Sequence, residues 1–210
     1  MIDPSTLSVF LFAVLMLFLS PGPNMAFVLS HGVARGPRGG FAAALGIGAA
    51  DLVHTVFSAT GITALVAAWP PAFDLLRYAG ALYLIWLAVQ AIRSPGSAGI
   101  SSRKQASMTQ IFRMAMLNNL LNPKALLFFI VFLPQFVDVA RGHVVLQLVM
   151  LGVILSIAAV FFNTALGAFS GQVGKFLNGN PRAARYQGWF LGSVLGALAL
   201  RLLLLDRPGR

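Results

Sequence analysis

The chain contains no cysteine and no glutamate, and only 10% of its 210 residues are charged. The absence of cysteine excludes disulfide bonds, thiol relays and thiolate metal sites. The sequence also offers no paired glutamates, no cluster of histidines and no convincing serine–histidine arrangement, which hydrolytic or metal-dependent catalysis would need. We therefore expect a protein that is not an enzyme and that holds no metal and no cofactor.

Apolar residues are abundant instead. They make up 58% of the chain, and the mean hydropathy is +0.84. A bilayer core needs about 20 apolar residues per helix. Six runs meet this requirement, at residues 7–34, 40–68, 73–92, 111–137, 144–170 and 185–205. Because little chain remains outside these runs, the sequence predicts one all-α integral membrane domain, residues 1–210, with six transmembrane helices in the lipid bilayer.

The net charge of +10 comes from 15 lysines and arginines against five acidic residues. In a soluble protein this excess would suggest nucleic acid, but here the basic residues follow the first, third and fifth apolar runs. They are Arg35, Arg38, Arg93, Arg103, Lys104, Arg113, Lys175, Arg182 and Arg185. Positively charged loops stay in the cytoplasm. We therefore predict cytoplasmic loops at these places, both termini in the periplasm and no nucleic-acid partner.

Two of the apolar runs are interrupted near the middle by helix-breaking residues. The first interruption is Ser20-Pro21-Gly22-Pro23-Asn24, and the second is Asn118-Asn119-Leu120-Leu121-Asn122-Pro123-Lys124. Proline removes a backbone donor, and an unpaired backbone group facing lipid costs several kcal/mol. Such groups are tolerated where they line a cavity. Paired interruptions in two halves of a chain therefore indicate the substrate site of a transporter.

A polar segment at residues 93–110 reads as a flexible linker between two halves of the chain. Each half, about 1–92 and about 111–210, carries three helices. Because three is an odd number, the second half must enter the membrane upside down relative to the first. The sequence thus predicts a 3+3 inverted repeat in which helices 1 and 4 are broken near the bilayer midplane and face each other.

Asp51 is the charged residue within these runs that most needs an explanation. A charge at the bilayer centre costs about 2.5–3.5 kcal/mol on insertion scales, and such residues usually face the interior of the bundle. His54 lies three residues further along and shares its helix face. We predict that Asp51, assisted by His54, carries a proton. The alternative is a structural aspartate that is paired with His54 or Lys124.

Lys124 follows Pro123 in the first turn after the second interruption. A helix N-terminus presents free N–H groups and a partial positive charge, so Lys124 here predicts a carboxylate site. The alternative is a lysine that snorkels to the membrane interface. The asparagines at both interruptions either contact the ligand or bond freed backbone groups. The candidate substrate-binding residues are Pro21, Gly22, Pro23, Asn24, Asp51, Asn118, Asn122, Pro123 and Lys124.

Taken together, these motifs resemble the lysine exporter and homoserine–threonine–leucine exporter family (LysE/RhtB). The similar segments are 20–24, 46–54, 76–84, 118–124 and 132–137, in the family's order and spacing. The resemblance implies an exporter of amino acids or close derivatives in the bacterial inner membrane, driven by protons as an antiporter, and it allows a homodimer. It does not identify the amino acid or the coupling stoichiometry.

A second interpretation is efflux of apolar cations or other small metabolites by the same fold. It predicts aromatic residues around the cavity, because a cation is attracted to the face of an aromatic ring. It also predicts little role for Lys124, since a cation gains nothing from a neighbouring ammonium. The sequence leaves this alternative open.

Overall fold

The computed structural model describes residues 2–20, 22–62, 69, 71–93, 106–172 and 181–204. Within these ranges the regular structure is helical and includes no strand, which confirms the predicted all-α class. We number the α-helices in chain order. They are α1 (Pro4–Leu19), α2 (Pro23–Phe57), α3 (Ala72–Arg93), α4 (Met108–Leu120), α5 (Pro123–Leu127), α6 (Val144–Ala168) and α7 (Pro181–Leu204).

Helix α1 has a strong start and an abrupt end. Asp3 is its N-cap, and the Asp3 carboxylate accepts the backbone N–H of Ser5 over 3.0 Å. The Ser5 hydroxyl donates to the same carboxylate. These two bonds from Ser5 hold the pKa of Asp3 below its ordinary value. The helix ends after 16 residues at Leu19, where Ser20 turns to an extended conformation.

Helix α2 begins at Pro23, and its 35 residues comprise two helical parts that are joined at Gly36. Gly22 is the extended residue before it, and Pro23 takes the first helical position, where its missing N–H costs nothing. Inside α2, Gly36 has φ 67° and ψ −164°, a conformation that glycine adopts readily, and it breaks the helix direction. The basic residues after the first apolar run predict a tight turn over residues 35–40. The chain does reverse there, because a Cβ added to Gly39 would lie 2.5 Å from the His31 main-chain oxygen.

The second interruption lies between α4 and α5. Helix α4 starts with a capping box made by Ser107 and Gln110, and it ends at Leu120. Asn122 then caps α5 by accepting the backbone N–H of Lys124 over 3.0 Å. A π-helical turn (Phe128–Phe132) and a 3₁₀ turn (Leu133–Phe136) continue from α5. The two stretches, Met108–Leu120 and Lys124–Phe136, are bent by 57° relative to each other.

Among the described residues, two helical stretches are long and apolar enough to cross a bilayer, Pro23–Gly61 and Val144–Ala168. The bent pair around residues 121–123 provides a third if it forms one span. Large apolar side chains such as Phe57, Phe161 and Leu82 are mostly exposed on the outside of the protein, as expected for a membrane protein. The number of six spans stays a prediction.

The packing brings helices from the two halves of the chain together. Helix α2 packs mainly against α6 and α4, and α3 packs mainly against α7. Gly40 and Gly167 meet so closely that a Cβ added to Gly40 would lie 2.5 Å from the Gly167 Cα. A core rich in phenylalanine fills the space between α1, α6 and the turns after α5. This arrangement places the first interruption against the second.

Candidate functional site

A cavity of about 60 Å³ is lined by residues from both interruptions. This is room for about four water molecules or a small ligand group. The polar lining residues are Ser20, Asn24, Asp51, Asn119, Asn122, Lys124 and Asn163. The other lining residues are Leu17, Phe18, Gly22, Pro23, Met25, Ile47, Ala125, Phe128, Phe129 and Leu155. One carboxylate and one ammonium thus share a small and otherwise uncharged space.

Lys124 connects the second interruption to the first. Its Nζ donates to the main-chain oxygens of Leu17, over 3.2 Å, and Ser20, over 3.0 Å. These carbonyls lie at the C-terminal end of α1, where a helix leaves its last oxygens without internal partners. A cation there also interacts favourably with the helix dipole. The ammonium therefore lies against the end of α1 and lines the cavity.

Gly22 lies beside the ammonium of Lys124. A Cβ added to Gly22 would lie 3.7 Å from the Nζ of Lys124, in ordinary van der Waals contact. A longer side chain at this position would extend toward the ammonium and the cavity. The small size of Gly22 thus leaves space beside Lys124. The backbone N–H groups of Asn24 and Met25 follow Pro23, and they precede the first bond of the helix, which the Ala26 N–H donates to the Gly22 oxygen.

Asp51 accepts a hydrogen bond from a neighbouring asparagine rather than from a cation. Its Oδ1 lies 2.8 Å from the Nδ2 of Asn119, which also donates to the Ile47 main-chain oxygen over 3.1 Å. The Oδ1 of Asn119 accepts from Asn24 over 2.8 Å, and Asn24 in turn accepts from Asn118 over 2.9 Å. A chain of asparagines therefore leads from Asp51 to the start of α2.

His54 lies beside this chain but does not line the cavity. Its Nε2 is 3.3 Å from the main-chain oxygen of Asn119, and its ring stacks on Phe129 with the centroids 5.3 Å apart. The Thr55 hydroxyl donates to the main-chain oxygen of Asp51 over 2.7 Å. The sequence left open that Asp51 is a structural residue paired with His54 or Lys124. The described partner of this carboxylate is Asn119.

The family of this chain follows from a comparison with known proteins. The family model described as LysE type translocator matches residues 15–206. The chain belongs to the LysE type translocator family. This match confirms the resemblance seen in the motifs. The chain is a membrane transport protein.

Two groups of curated proteins are similar to this LysE type translocator. The leucine efflux protein of Salmonella typhimurium is 30% identical over 201 residues, which is 94% of each chain. The leucine efflux protein of Enterobacter sp. is 32% identical over 189 residues, 88% of each chain. An uncharacterized membrane protein of Pseudomonas aeruginosa is 38% identical over 160 residues, 73% of this chain and 74% of the relative. No solved structure matches the chain.

Most of the candidate residues lie together in this translocator. Gly22, Pro23, Asn24, Asp51, Asn122 and Lys124 all line the cavity. Asn118 is one step removed, because it reaches the cavity through Asn24. Pro123 occupies the first turn of α5, where its backbone positions Lys124. Pro21 lies outside the described residues. The roles assigned to these residues stay predictions.

Several lining residues were not among the candidates, and Asn119 is the most consequential. A signal for it exists in the sequence, because Ile111, Ala115 and Asn119 recur every fourth residue and all are buried. Asn163 on α6 also lines the cavity. No local pattern distinguishes Phe128 and Phe129 from other apolar residues. Within the described part of the chain, no group of three histidines or acidic residues could hold a metal ion.

Proposed function

We propose that the protein is a secondary-active exporter of amino acids across the bacterial inner membrane, and that its substrates are neutral with apolar side chains. The observation that carries the proposal is the pairing of one carboxylate, Asp51, with one ammonium, Lys124, in a small cavity at two helix interruptions. Substrate sites of transporters are typically built at such interruptions. The similarity to proteins named leucine efflux proteins supports the same substrate class.

The charges of the cavity argue for a neutral substrate. The α-carboxylate of an amino acid would bind Lys124 and the N–H groups at the start of α2. The α-ammonium would bind Asp51. These two contacts use both charged residues of the cavity, so a charged substrate side chain would find no partner of opposite charge among the described lining residues. Phe18, Phe128 and Leu155 offer an apolar surface instead.

The packing supports an inverted repeat with one half at about 1–92, the other at about 111–210 and a linker at 93–110. In such a repeat the part of α2 after Gly36 corresponds to α6 and α3 corresponds to α7, and these are the pairs that pack together. Helix interruptions occur at equivalent places of the two halves. We propose that alternating access arises when the halves rock about the glycine contact between α2 and α6.

Proton coupling would follow from competition at Asp51. A carboxylate that binds either a proton or the substrate ammonium, but not both, exchanges one for the other across the membrane. His54, beside Asn119, would assist the transfer of the proton. An intramembrane carboxylate commonly has such a role in pumps and transporters.

The aromatic residues of the cavity favour a second candidate, the efflux of apolar cations. Phe18, Phe128 and Phe129 line the space and could face a cationic ligand. This candidate leaves the ammonium of Lys124 without a function in binding, because like charges repel. Lys124 therefore discriminates between the two proposals.

Counterflow in proteoliposomes tests the proposed function. Proteoliposomes that contain the purified protein are loaded with unlabelled leucine. Uptake of labelled leucine, lysine, glutamate and tetraphenylphosphonium is then measured in parallel, with protein-free liposomes as the control. We expect leucine to accumulate and the other three to stay near the control. If vesicles loaded with tetraphenylphosphonium accumulate the labelled cation, and leucine shows no counterflow, the result would favour the cation candidate. Accumulation of lysine or glutamate would contradict the neutral substrate class.

A further inference from the structure

Asn119 is fully buried at the end of α4, and its side-chain amide makes three hydrogen bonds. Its Nδ2 donates to Asp51 and to the main-chain oxygen of Ile47, and its Oδ1 accepts from Asn24. A primary amide has two N–H donors, and both are in use here. Asn119 therefore connects three places at once: the intramembrane carboxylate, the start of α2 and the end of α4 before the second interruption.

Two acceptors together fix the orientation of the asparagine amides. An ionised carboxylate and a main-chain oxygen only accept hydrogen bonds, so Asn119 presents its Nδ2 to Asp51 and Ile47 and its Oδ1 to Asn24. Asn24 must then donate to Asn119, and it accepts from Asn118 with its own Oδ1. Each amide thus fixes the orientation of the next. The bond to an ionised carboxylate is also stronger than a bond to a neutral carboxyl group.

We propose that Asn119 is a positioning residue of the transport site that ties the state of Asp51 to both helix interruptions. When Asp51 takes up a proton or the ammonium of a ligand, its bond to Asn119 changes, and the change reaches Asn24 at the start of α2 and the end of α4. Asn119 acts through these neighbours, since both of its donors are already committed. The proposal rests on the proposed function, which supplies the ligand at Asp51.

The surroundings of Asp51 leave few other routes for such a coupling. Among the described residues, the titratable groups at or beside the cavity are His54 on α2 and Lys124 on α5. His54 contacts the main chain of Asn119, and Lys124 contacts the end of α1. Helix α6 contributes Asn163, whose Nδ2 donates to Ala159 within its own helix. Among the described contacts, the one that joins Asp51 directly to the second interruption is therefore its hydrogen bond with Asn119.

The absence of cysteine from the sequence makes a direct test possible. A single reporter, Ala125→Cys, lines the cavity just beyond the second interruption. The rate of its alkylation by a water-soluble maleimide is measured in the purified full-length protein, with and without Asp51→Asn, an isosteric substitute for the neutral carboxyl group. The same pair of measurements is repeated in the Asn119→Ala background. Size-exclusion chromatography checks that each variant is folded.

With Asn119 present, we expect Asp51→Asn to change the alkylation rate by about 2- to 30-fold, the usual range for coupling through contiguous networks. In the Asn119→Ala background, the effect of Asp51→Asn should fall below about twofold. Asn163→Ala is the matched control, because it removes another buried asparagine of the cavity that does not bond Asp51. In that background the effect of Asp51→Asn should persist. A purely structural role for Asn119 would shift the rates without removing the dependence on Asp51.

An equal effect of Asp51→Asn with and without Asn119 would overturn the proposal, and so would an Asp51→Asn variant that changes nothing in any background. If Asn119→Ala does not fold, Asn24→Ala removes the next bond of the chain and should reduce the effect of Asp51→Asn in the same way. The alkylation rate needs no transport. A protein that fails leucine counterflow but shows the coupling would thus overturn the proposed function and leave the role of Asn119 standing.

Discussion

The ammonium of Lys124 donates to the main-chain oxygen of Ser20 over 3.0 Å, and so joins the two interruptions of the chain. The contact spans 104 residues of sequence. It gives Lys124 two functions that mutation can separate. One is to satisfy the carbonyls at the end of α1, and the other is the proposed binding of a substrate carboxylate.

Lys124→Met should weaken substrate binding by about 10- to 150-fold, because a hydrogen bond to a charged group contributes about 1.5–3 kcal/mol. It should also lower stability, since the oxygens of Leu17 and Ser20 lose a donor. Lys124→Arg keeps the charge and the donors, and it should retain more of both properties. Binding of labelled leucine and thermal unfolding in detergent measure the two effects. Unchanged leucine affinity in a folded Lys124→Met protein would remove Lys124 from the site.

Asn122 offers a test of the local structure that positions Lys124. Asn122→Ala removes the cap of α5 and should cost about 0.5–2 kcal/mol of stability. Asn122→Asp keeps a side-chain oxygen that can accept the N–H of Lys124 and should lose less. Thermal unfolding of the two variants in the same detergent makes the comparison. Equal stability of Asn122→Ala and the unmodified protein would show that the cap is dispensable.

The distribution of basic residues predicts the orientation in the membrane. Reporter fusions at Ser97 and Arg210 should give a cytoplasmic signal at Ser97 and a periplasmic signal at Arg210, because positively charged loops remain in the cytoplasm. A reporter pair that is active in opposite compartments provides the internal control. The reverse pattern at both positions would invert the predicted topology.

Close packing of α2 on α6 depends on Gly40. Alanine is the better helix former by about 0.5–1 kcal/mol, but its Cβ at this position would meet the backbone of Gly167. Forcing the helices apart costs about 1–3 kcal/mol, so Gly40→Ala should lower the unfolding temperature. Gly171→Ala is the control, since a Cβ there meets nothing within 4 Å. Equal unfolding temperatures for the two variants would show that α2 and α6 separate without cost.

Local chemistry explains which features the sequence could predict. Helix α2 begins at Pro23 and α5 begins at Pro123, because proline suits the first helical turn and cannot continue a preceding helix. Asn122 caps α5 through its own neighbour Lys124. These relationships involve residues close together in the sequence, so the ends of the helices at both interruptions lie where the motifs indicated.

The partners of the charged residues could not be predicted, because they come from distant parts of the chain. Asp51 and Asn119 are 68 residues apart, and the spacing that marks Asn119 as a buried residue does not identify Asp51 as its partner. The contact of Lys124 with Leu17 is equally distant. The turn predicted at residues 35–40 is, by contrast, a local feature. Gly36 takes up φ 67°, which glycine adopts readily, and the chain reverses there, so that Gly39 lies against the His31 main-chain oxygen.

The proposed proton coupling leads to a prediction for Asp51. Asp51→Asn should lose uphill export driven by a pH gradient, because the amide resembles a protonated carboxyl group but has no proton to release. It should keep some exchange of leucine for leucine, since exchange needs no net proton movement. Uptake of labelled leucine into inverted vesicles with an imposed pH gradient measures driven export, and counterflow without a gradient measures exchange.

Asp138→Asn is the matched control for loss of a carboxylate. Asp138 is about half exposed and pairs with Arg141 over 2.9 Å, outside the cavity. Because it does not line the proposed site, its substitution should leave both driven export and exchange intact. An Asp51→Asn protein that still concentrates leucine against a gradient would contradict the coupling role. One that neither binds nor exchanges leucine would instead point to Asp51 as the partner of the substrate ammonium or as a structural anchor, and thermal unfolding of the variant separates these two roles.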